Sequence, residues 1–444
     1  MPETRVCYVG GCGRLGYPMA VWTASKGYQT AIADINKAAV REIFDGTFRS
    51  PEPRVDELAV MAHAEGRLHP TTDVAKAAAR SDLIFVITQT PSVEDGSFTE
   101  EYVVEACKEI GKGLRQEVAQ RTRIVCIAST VMPGRTDGII RKTLEDASGL
   151  TAHVDFGLCV TPEFVRQGAI IEDFSNPDFV VIGCEKDEEW EAVRAYYEGI
   201  TTSGDTPIWR CSIPSAEIAK MGLNVAVTSK VARANELALL CHYTHGADAD
   251  DVLAIIGSDS RIGSKYFSAG PPPGGPCFPR DNSALAVAMR SRGIEPHVTE
   301  GVNAHERYLL KRLAWIVNGL LDPAGEKTIG ILGLTYKPGV NLTVGSPGGD
   351  LARELVKFLP VPTVYGYDPG LDVVMHWETP QGRALIGVGS LEELVERSDV
   401  LVLMTPWPEF VSLYDVNLMD KDVVDMWGFL PRVECKQYVR FGRG

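Results

Sequence analysis

Short runs of consecutive apolar residues alternate along the chain with stretches whose apolar positions recur at helical spacing. Residues 5–10 read RVCYVG, 29–34 QTAIAD, 82–88 DLIFVIT and 123–128 RIVCIA. Continuous runs rich in Val and Ile suit strands covered on both faces, as in a parallel sheet. With helical patterns between them, they predict βαβ units.

The pattern returns near the other end. Residues 328–334 (TIGILGL) resemble another first strand, and 363–368 (TVYGYD) a second strand ending in an acid. Residues 398–405 (SDVLVLMT) follow 81–88 (SDLIFVIT) almost position for position. Two related α/β domains are therefore expected. Between them, residues 215–243 contain no Pro and a single Gly, with Pro214 and Ser215 where a helix start belongs. At about 1.5 Å per residue such a helix exceeds roughly 40 Å, long enough to join two domains and pack on a second subunit. Residues 268–279 (SAGPPPGGPCFP) are predicted to be neither helix nor strand.

Composition narrows the function classes. The 444 residues are 45% hydrophobic and 23% charged, enough to bury more than one core. The net charge of −15 argues against nucleic acid as a partner, since duplex recognition needs a basic face. No apolar run is long enough to cross a membrane. The opening MPETRVCYVGG runs straight into a strand, so no signal peptide is expected. The 10 cysteines include no CxxC pair, which fits a reduced, cytoplasmic location. His242 and His245 have no carboxylate spacing to complete a ligand set, so no metal is expected.

Gly11, Gly13 and Gly16 form G-x-G-x-x-G directly after the first predicted strand, and Asp34 ends the second. Glycines there permit a tight turn and close approach of a pyrophosphate to a helix N-terminus. The acid would accept hydrogen bonds from adenosine ribose hydroxyls and repel a 2′-phosphate, favouring NAD over NADP. The plainer alternative is a glycine-rich turn in a non-binding domain. The fold expected is α/β: two Rossmann-like, doubly wound parallel-sheet domains (1–205 and 321–444) joined by a long central helix or helical domain (206–320).

Cys277 lies in GGPCFPRD, followed by Arg280 and Asp281. A neighbouring cation or helix N-terminus can make such a thiol nucleophilic, although composition alone favours an inert buried cysteine. Lys220 and Asn224 share a helix face with Glu217. Such a stripe is often merely solvated; if covered, it can polarise a hydroxyl or hold an oxyanion.

Together these segments resemble the UDP-glucose/GDP-mannose dehydrogenase family over nearly the whole chain. Ser129, Thr130, Val131, Pro133 and Gly134 resemble its STVP-G segment, and residues 161–174 (TPEFVRQGAIIEDF) its PEF segment with Glu163 as the acid. Glu217, Lys220 and Asn224 match AE-K-N on the central helix. Residues 259–265 (DSRIGSK) and 274–281 (GGPCFPRD) match its RIG and GGSC-PKD loops. Residues 333–338 (GLTYKP), Ser346-Pro347, Asp368-Pro369 and 405–410 (TPWPEF) complete the series.

The resemblance implies NAD-dependent oxidation of a nucleotide sugar, most often a UDP-hexose, at C6 to the carboxylate through a cysteine-bound thioester. Cys277 is then the nucleophile, Lys220 and Asn224 hold the oxygen, and Asp281, Glu163 and Thr130 position or activate water. By the same resemblance, Leu15, Thr90 and Arg280 join the glycines, Asp34 and Thr130 at the cofactor. Phe164, Arg261, Tyr266, Gly274, Gly275 and Lys337 join Glu163, Lys220 and Asn224 at the substrate. A homodimer through the central helix is implied, with Arg261 acting across it. Val344 stands where an arginine is usual, Gln167 where many members have Glu, and residues 425–428 (DMWG) depart as well. The cysteine loop is unusually proline-rich at Pro271, Pro272 and Pro273. These departures point to altered substrate or cofactor affinity in an active enzyme. Two other readings stay open: a single-step hydroxyacid-type dehydrogenase with Cys277 structural, and a non-catalytic nucleotide-sugar sensor.

Overall fold

The computed structural model describes residues 4–116, 123–321, 328–357, 363–371, 376–378, 384–430 and 433–444. They form two compact units, Met1–Leu223 and Asn224–Gly444. Among them no helix is long and apolar enough to cross a membrane.

The first unit holds an eight-stranded sheet: β1 (Arg5–Val9), β2 (Gln29–Ala33), β3 (Leu68–Thr71), β4 (Leu83–Val86), β5 (Ile124–Ile127), β6 (Gly157–Val160), β7 (Val180–Gly183) and β8 (Ile208–Cys211). Their order is β3-β2-β1-β4-β5-β6-β7-β8, parallel throughout except between β6 and β7. Alternation along each strand explains the unbroken apolar runs. Val6 and Tyr8 enter one core with Met19 and Trp22, whereas Cys7 and Val9 enter the other with Ile110 and Leu144. The buried hydroxyls of Tyr8, Thr23 and Tyr196 satisfy one another in a closed ring at 2.6–3.0 Å. The strands are shorter than the apolar runs that predicted them. Asp82 stays outside β4 because its carboxylate accepts the Arg5 N–H at 2.7 Å while its own N–H donates to the Arg5 carbonyl.

The second unit carries β9 (Thr328–Leu332), β10 (Thr363–Tyr367), β11 (His376–Glu378), β12 (Ala384–Gly387), β13 (Val400–Leu403), β14 (Leu418–Asp425) and β15 (Cys435–Arg440). The order β11-β12-β10-β9-β13-β14-β15 places β9, β10 and β13 where β1, β2 and β4 stand in the first sheet. The echo in sequence is thus an echo in topology. Asp399 clasps Thr328 as Asp82 clasps Arg5: its N–H donates to the Thr328 carbonyl and its carboxylate accepts the Thr328 N–H.

The long helix runs Ile213–His242, starting two residues earlier than expected because a proline fits the first turn of a helix. Its later residues Ala234, Ala238 and Leu239 share a core with Leu309, Leu313, Ile329 and Ile331. The central segment from Asn224 onward therefore packs as part of the second sheet's unit. The proline-rich loop is irregular as predicted up to Cys277, but Phe278 and Pro279 already belong to a helix, Phe278–Arg290, again with proline in the first turn.

Candidate functional site

Three clusters gather the residues singled out above. The first is the turn after β1. A left-handed residue is required at Gly10 (φ +81°), one position before the motif. A methyl at Gly11 would lie 2.7 Å from the Tyr8 carbonyl oxygen, and one at Gly16 2.7 Å from that of Gly10. At Gly13 the only neighbour within 4 Å is the Gly10 carbonyl oxygen, at 3.3 Å, so the turn is open there. Leu15 sits at the N-cap of the helix Gly16–Ser25 and gives it no side-chain cap, which suits a ligand anion at that end. Asp34 accepts the N–H groups of Cys12 (3.0 Å) and Asn36 (2.9 Å), which fixes the carboxylate beside the turn. This cradle fits a dinucleotide. Thr90 donates to the Thr130 carbonyl at 2.7 Å, tying the loops after β4 and β5 together.

The counterpart of Asp34 in the second unit has a different fate. Oδ2 of Asp368 receives the N–H groups of Leu334 and Thr335, the Thr335 hydroxyl and the Trp407 indole N–H, all within 3.1 Å. That oxygen is saturated by its own chain, unlike the carboxylate of Asp34, each oxygen of which accepts one of the N–H groups given above.

The second cluster surrounds Glu163, in the loop after β6. The Lys220 ammonium donates to the Glu163 backbone carbonyl at 2.7 Å and lies 4.9 Å from the centre of the Phe164 ring. The Tyr197 hydroxyl donates to the Glu163 carboxylate at 2.8 Å. Burial pushes the Glu163 carboxyl up to about 7, against the opposing hydrogen bond from Tyr197 and the charge of Lys220. Two carboxylates that sequence reasoning gave no such task hold the surrounding loops. Glu217 accepts the N–H groups of Gly134 (2.5 Å) and Thr136 (2.9 Å), and so anchors the segment that follows Thr130. Glu52 accepts the N–H groups of Gly168 and Ile170, pinning the turn that contains Gln167. Spacing placed Glu217 on the face of Lys220 and Asn224 but gave neither acid this anchoring role, because their partners are backbone groups far along the chain.

The third cluster is the cysteine loop. Cys277 is exposed, alone among the cysteines, and occupies the N-cap of the helix Phe278–Arg290. The positive end of a helix favours a thiolate there. One turn on, Asp281 is fully buried and accepts from the Asn224 amide (2.5 Å) and from Arg280 (3.2 Å). The glycines before the cysteine meet protein backbone. A methyl at Gly274 would lie 2.4 Å from the Gly345 carbonyl oxygen and 2.8 Å from Pro347 Cδ, and one at Gly275 2.8 Å from the Tyr336 ring. The Gly275 N–H donates to the Gly345 carbonyl at 3.0 Å. Lys337 stands on that same segment, beside Tyr336. Arg261 and Tyr266 stay at the surface, and Arg261 is held by a two-point contact with Asp259 at 2.7–2.9 Å.

Two of the departures form one feature. The Trp427 ring packs against Gly270, where a methyl would come within 3.1 Å, and its indole N–H donates to the Met404 carbonyl at 3.0 Å. Asn235 accepts the Gly270 N–H at 3.0 Å. The tryptophan thus braces the proline-rich loop. The structure gives no account of Val344, which is exposed.

The NAD binding domain of the UDP-glucose/GDP-mannose dehydrogenase family matches residues 4–201, its central domain 214–307 and its UDP binding domain 330–432. The chain belongs to the UDP-glucose/GDP-mannose dehydrogenase family. It is 31% identical over 431 residues to UDP-glucose 6-dehydrogenase AglM of Haloferax volcanii, covering 96% of this chain and 98% of that one. It is 30% identical over 434 residues to the GDP-mannose 6-dehydrogenase of Azotobacter vinelandii, covering 95% and 96%. Its fold matches the UDP-glucose dehydrogenase of the hyperthermophilic archaeon Pyrobaculum islandicum with a TM-score of 0.86, at 28% identity and full coverage of both chains. This UDP-glucose/GDP-mannose dehydrogenase family member is accordingly an NAD-dependent oxidoreductase acting on CH–OH groups of nucleotide sugars.

Replacing Asp34 by Ala is expected to raise the use of NADP relative to NAD by roughly tenfold or more, about 1.4 kcal/mol of lost discrimination. Steady-state rates with each cofactor check this, and an unchanged ratio would remove Asp34 from cofactor selection.

Proposed function

We propose that the enzyme oxidises a UDP-hexose at C6 to the uronate in two successive steps on one site, with the intermediate held as a thioester on Cys277. The observation that carries this reading is an exposed cysteine at a helix N-terminus, one turn from a buried Asp281 that accepts from the half-buried Asn224. NAD, when bound by the glycine turn and Asp34, supplies the acceptor for both oxidations. The thiol of Cys277 adds to the aldehyde formed first, giving a thiohemiacetal. Its oxidation leaves a thioester, which water cleaves to the carboxylate and the free thiol. Lys220 and Asn224, one turn apart on the long helix, donate to the oxygen as charge gathers on it. Asp281, Glu163 and Thr130 orient or deprotonate the attacking water. Lys337, Phe164 and the backbone at Gly274 and Gly275 hold the substrate. Residues 1–205, 206–320 and 321–444 are assigned to cofactor, catalytic helix and loop, and nucleotide respectively. The test is product stoichiometry across a panel of nucleotide sugars: about two NADH per sugar supports the thioester route. One NADH with a released aldehyde or ketone would exclude it.

Glu163 gives the reaction a pH signature. With its carboxyl near 7, the ionised form needed for water activation accumulates as pH rises, so turnover should fall on the acid side of that value. Tyr197→Phe removes a hydrogen bond that favours the carboxylate, so the acid limb should move to higher pH. The stability consequence has the opposite sense. A carboxyl raised by burial binds its proton more tightly folded than unfolded, so stability falls as pH climbs from the ordinary carboxylate range through about 7. Glu163→Gln should lose both the acid limb and this decline. Unshifted limbs in both variants would assign the acid limb to another group.

The assembly is proposed to be a homodimer through the long helix, on which Ile218, Leu223 and Leu240 remain exposed. Arg261, anchored by Asp259 and otherwise in solvent, then serves the partner's substrate. Light scattering at working concentration should give twice the chain mass. A strict monomer would contradict the dimer and leave Arg261 without that role.

A further inference from the structure

A side-chain cluster in the first unit has no part in the chemistry above. Asp137 lies on the π-helical turn Thr136–Ile140, His153 in the loop before β6, and Glu185 between β7 and the helix Asp187–Ile200. One ligand-type atom from each lies within 4.8 Å of the others. The His153 side chain is only 3% exposed, yet its Nε2 has no hydrogen-bond partner, and the carboxylate nearest it, Glu185 Oε2, is 3.7 Å away. Asp137 Oδ1 is likewise buried without a hydrogen-bond partner. Two buried polar atoms in one cluster, both without a hydrogen-bond partner, are costly unless something there satisfies them.

The other ring nitrogen bears on what would satisfy them. His153 Nδ1 lies 2.6 Å from the buried Glu189 carboxylate. Glu189 is itself fixed by the N–H groups of Leu158, Glu185 and Lys186 at 3.1–3.2 Å. An ionised carboxylate only accepts, so Nδ1 donates to Glu189 and Nε2 is the ring atom left towards Glu185. A histidine oriented by a carboxylate behind it, with its far nitrogen aimed at two further carboxylates, is the ligand arrangement of a divalent-metal site.

We propose that Asp137, His153 and Glu185 bind one divalent transition-metal ion of the zinc class, through His153 Nε2 and one oxygen of each carboxylate. A nitrogen with two oxygens suits Zn2+ or Co2+ and disfavours Mg2+ and Ca2+, which prefer all-oxygen sets. Glu185 is exposed, so solvent completes the coordination. The ion is structural, fastening three separate segments of the first unit, one of which continues from the Thr130–Gly134 stretch. No motif marks the site, because the ligands stand at 137, 153 and 185, without the close spacing of a metal motif.

The test uses the full-length chain, stripped with chelator and titrated with Co2+ at neutral pH. The expected result is one Co2+ per chain, with a visible d–d band, no thiolate charge-transfer band, displacement by equimolar Zn2+ and a raised melting temperature. Mg2+ should do none of this. Glu185→Gln should weaken binding by at least about tenfold, and Asp137→Asn with Glu185→Gln should abolish it. Both substitutions are nearly isosteric and lie outside the catalytic clusters, so circular dichroism can confirm folding. Binding that survives the double substitution, or that shows thiolate bands, would place the metal elsewhere. The absence of stoichiometric Co2+ binding would show that the three side chains form no metal site. Either result overturns the proposal.

Discussion

Cys277→Ser is expected to cut net carboxylate production by several orders of magnitude while leaving a single oxidation measurable. The first oxidation removes hydrogen from an alcohol carbon and needs no nucleophile from the protein. On the proposed route the second proceeds from an adduct on the residue 277 side chain, and release then depends on how well that group leaves. A serine alkoxide leaves far less readily than a thiolate, so the variant should accumulate an ester or stop at one equivalent of NADH. Cys277→Ala should stall at the aldehyde. Rapid-quench analysis of product and NADH per site distinguishes these outcomes. Full activity in Cys277→Ala would reduce the cysteine to a structural role and return the protein to a single-step dehydrogenase.

Gly274→Ala should be nearly as damaging, although it removes no functional group. The added methyl meets the Gly345 carbonyl oxygen at 2.4 Å and Pro347 Cδ at 2.8 Å, and neither belongs to a flexible side chain. The cysteine loop must shift, and a displacement of about 1 Å at a reacting group can cost roughly 100-fold in rate. The stability cost should be about 1–3 kcal/mol, as for other overpacked sites. Gly301→Ala is the matched control. It lies within the helix His297–Leu320 with nothing inside 4 Å, and should leave kcat unchanged while stabilising by up to about 1 kcal/mol. Equal kinetics for the two variants would show that the loop tolerates movement.

The central strands of both sheets, β1, β2, β4, β5 and β9, β10, β13, were legible in the sequence because parallel strands buried on two faces carry unbroken apolar runs, whereas edge strands such as β3 (LHPT) and β8 (IWRC) carry none. The first-strand turn, its acid and the long helix were legible for similarly local reasons. Strand ends were not, since Asp82 and Asp399 cap their neighbours through contacts the chain makes at long range. The cysteine loop was visible as a motif, but its support was hidden. Asn235, Trp427 and Gly345 act through tertiary packing, and no spacing rule announces a tryptophan that braces a glycine more than a hundred positions away. Asp368 shows the reverse limit: it looks like Asp34 in sequence, and only its saturated hydrogen bonding separates the two.

The backbone contact between Gly275 and Gly345 has a consequence for how substrates are told apart. The segment 336–347 carries Lys337, the proposed grip on the nucleotide, and it also supports the loop that presents the thiol. Anchoring a remote, non-reacting portion of the molecule is thereby converted into correct placement of the reacting group. A free hexose lacking its diphosphate nucleoside should consequently suffer in kcat and not in KM alone. Saturating concentrations should not rescue it, and adding the detached nucleoside diphosphate in trans should recover part of the lost turnover.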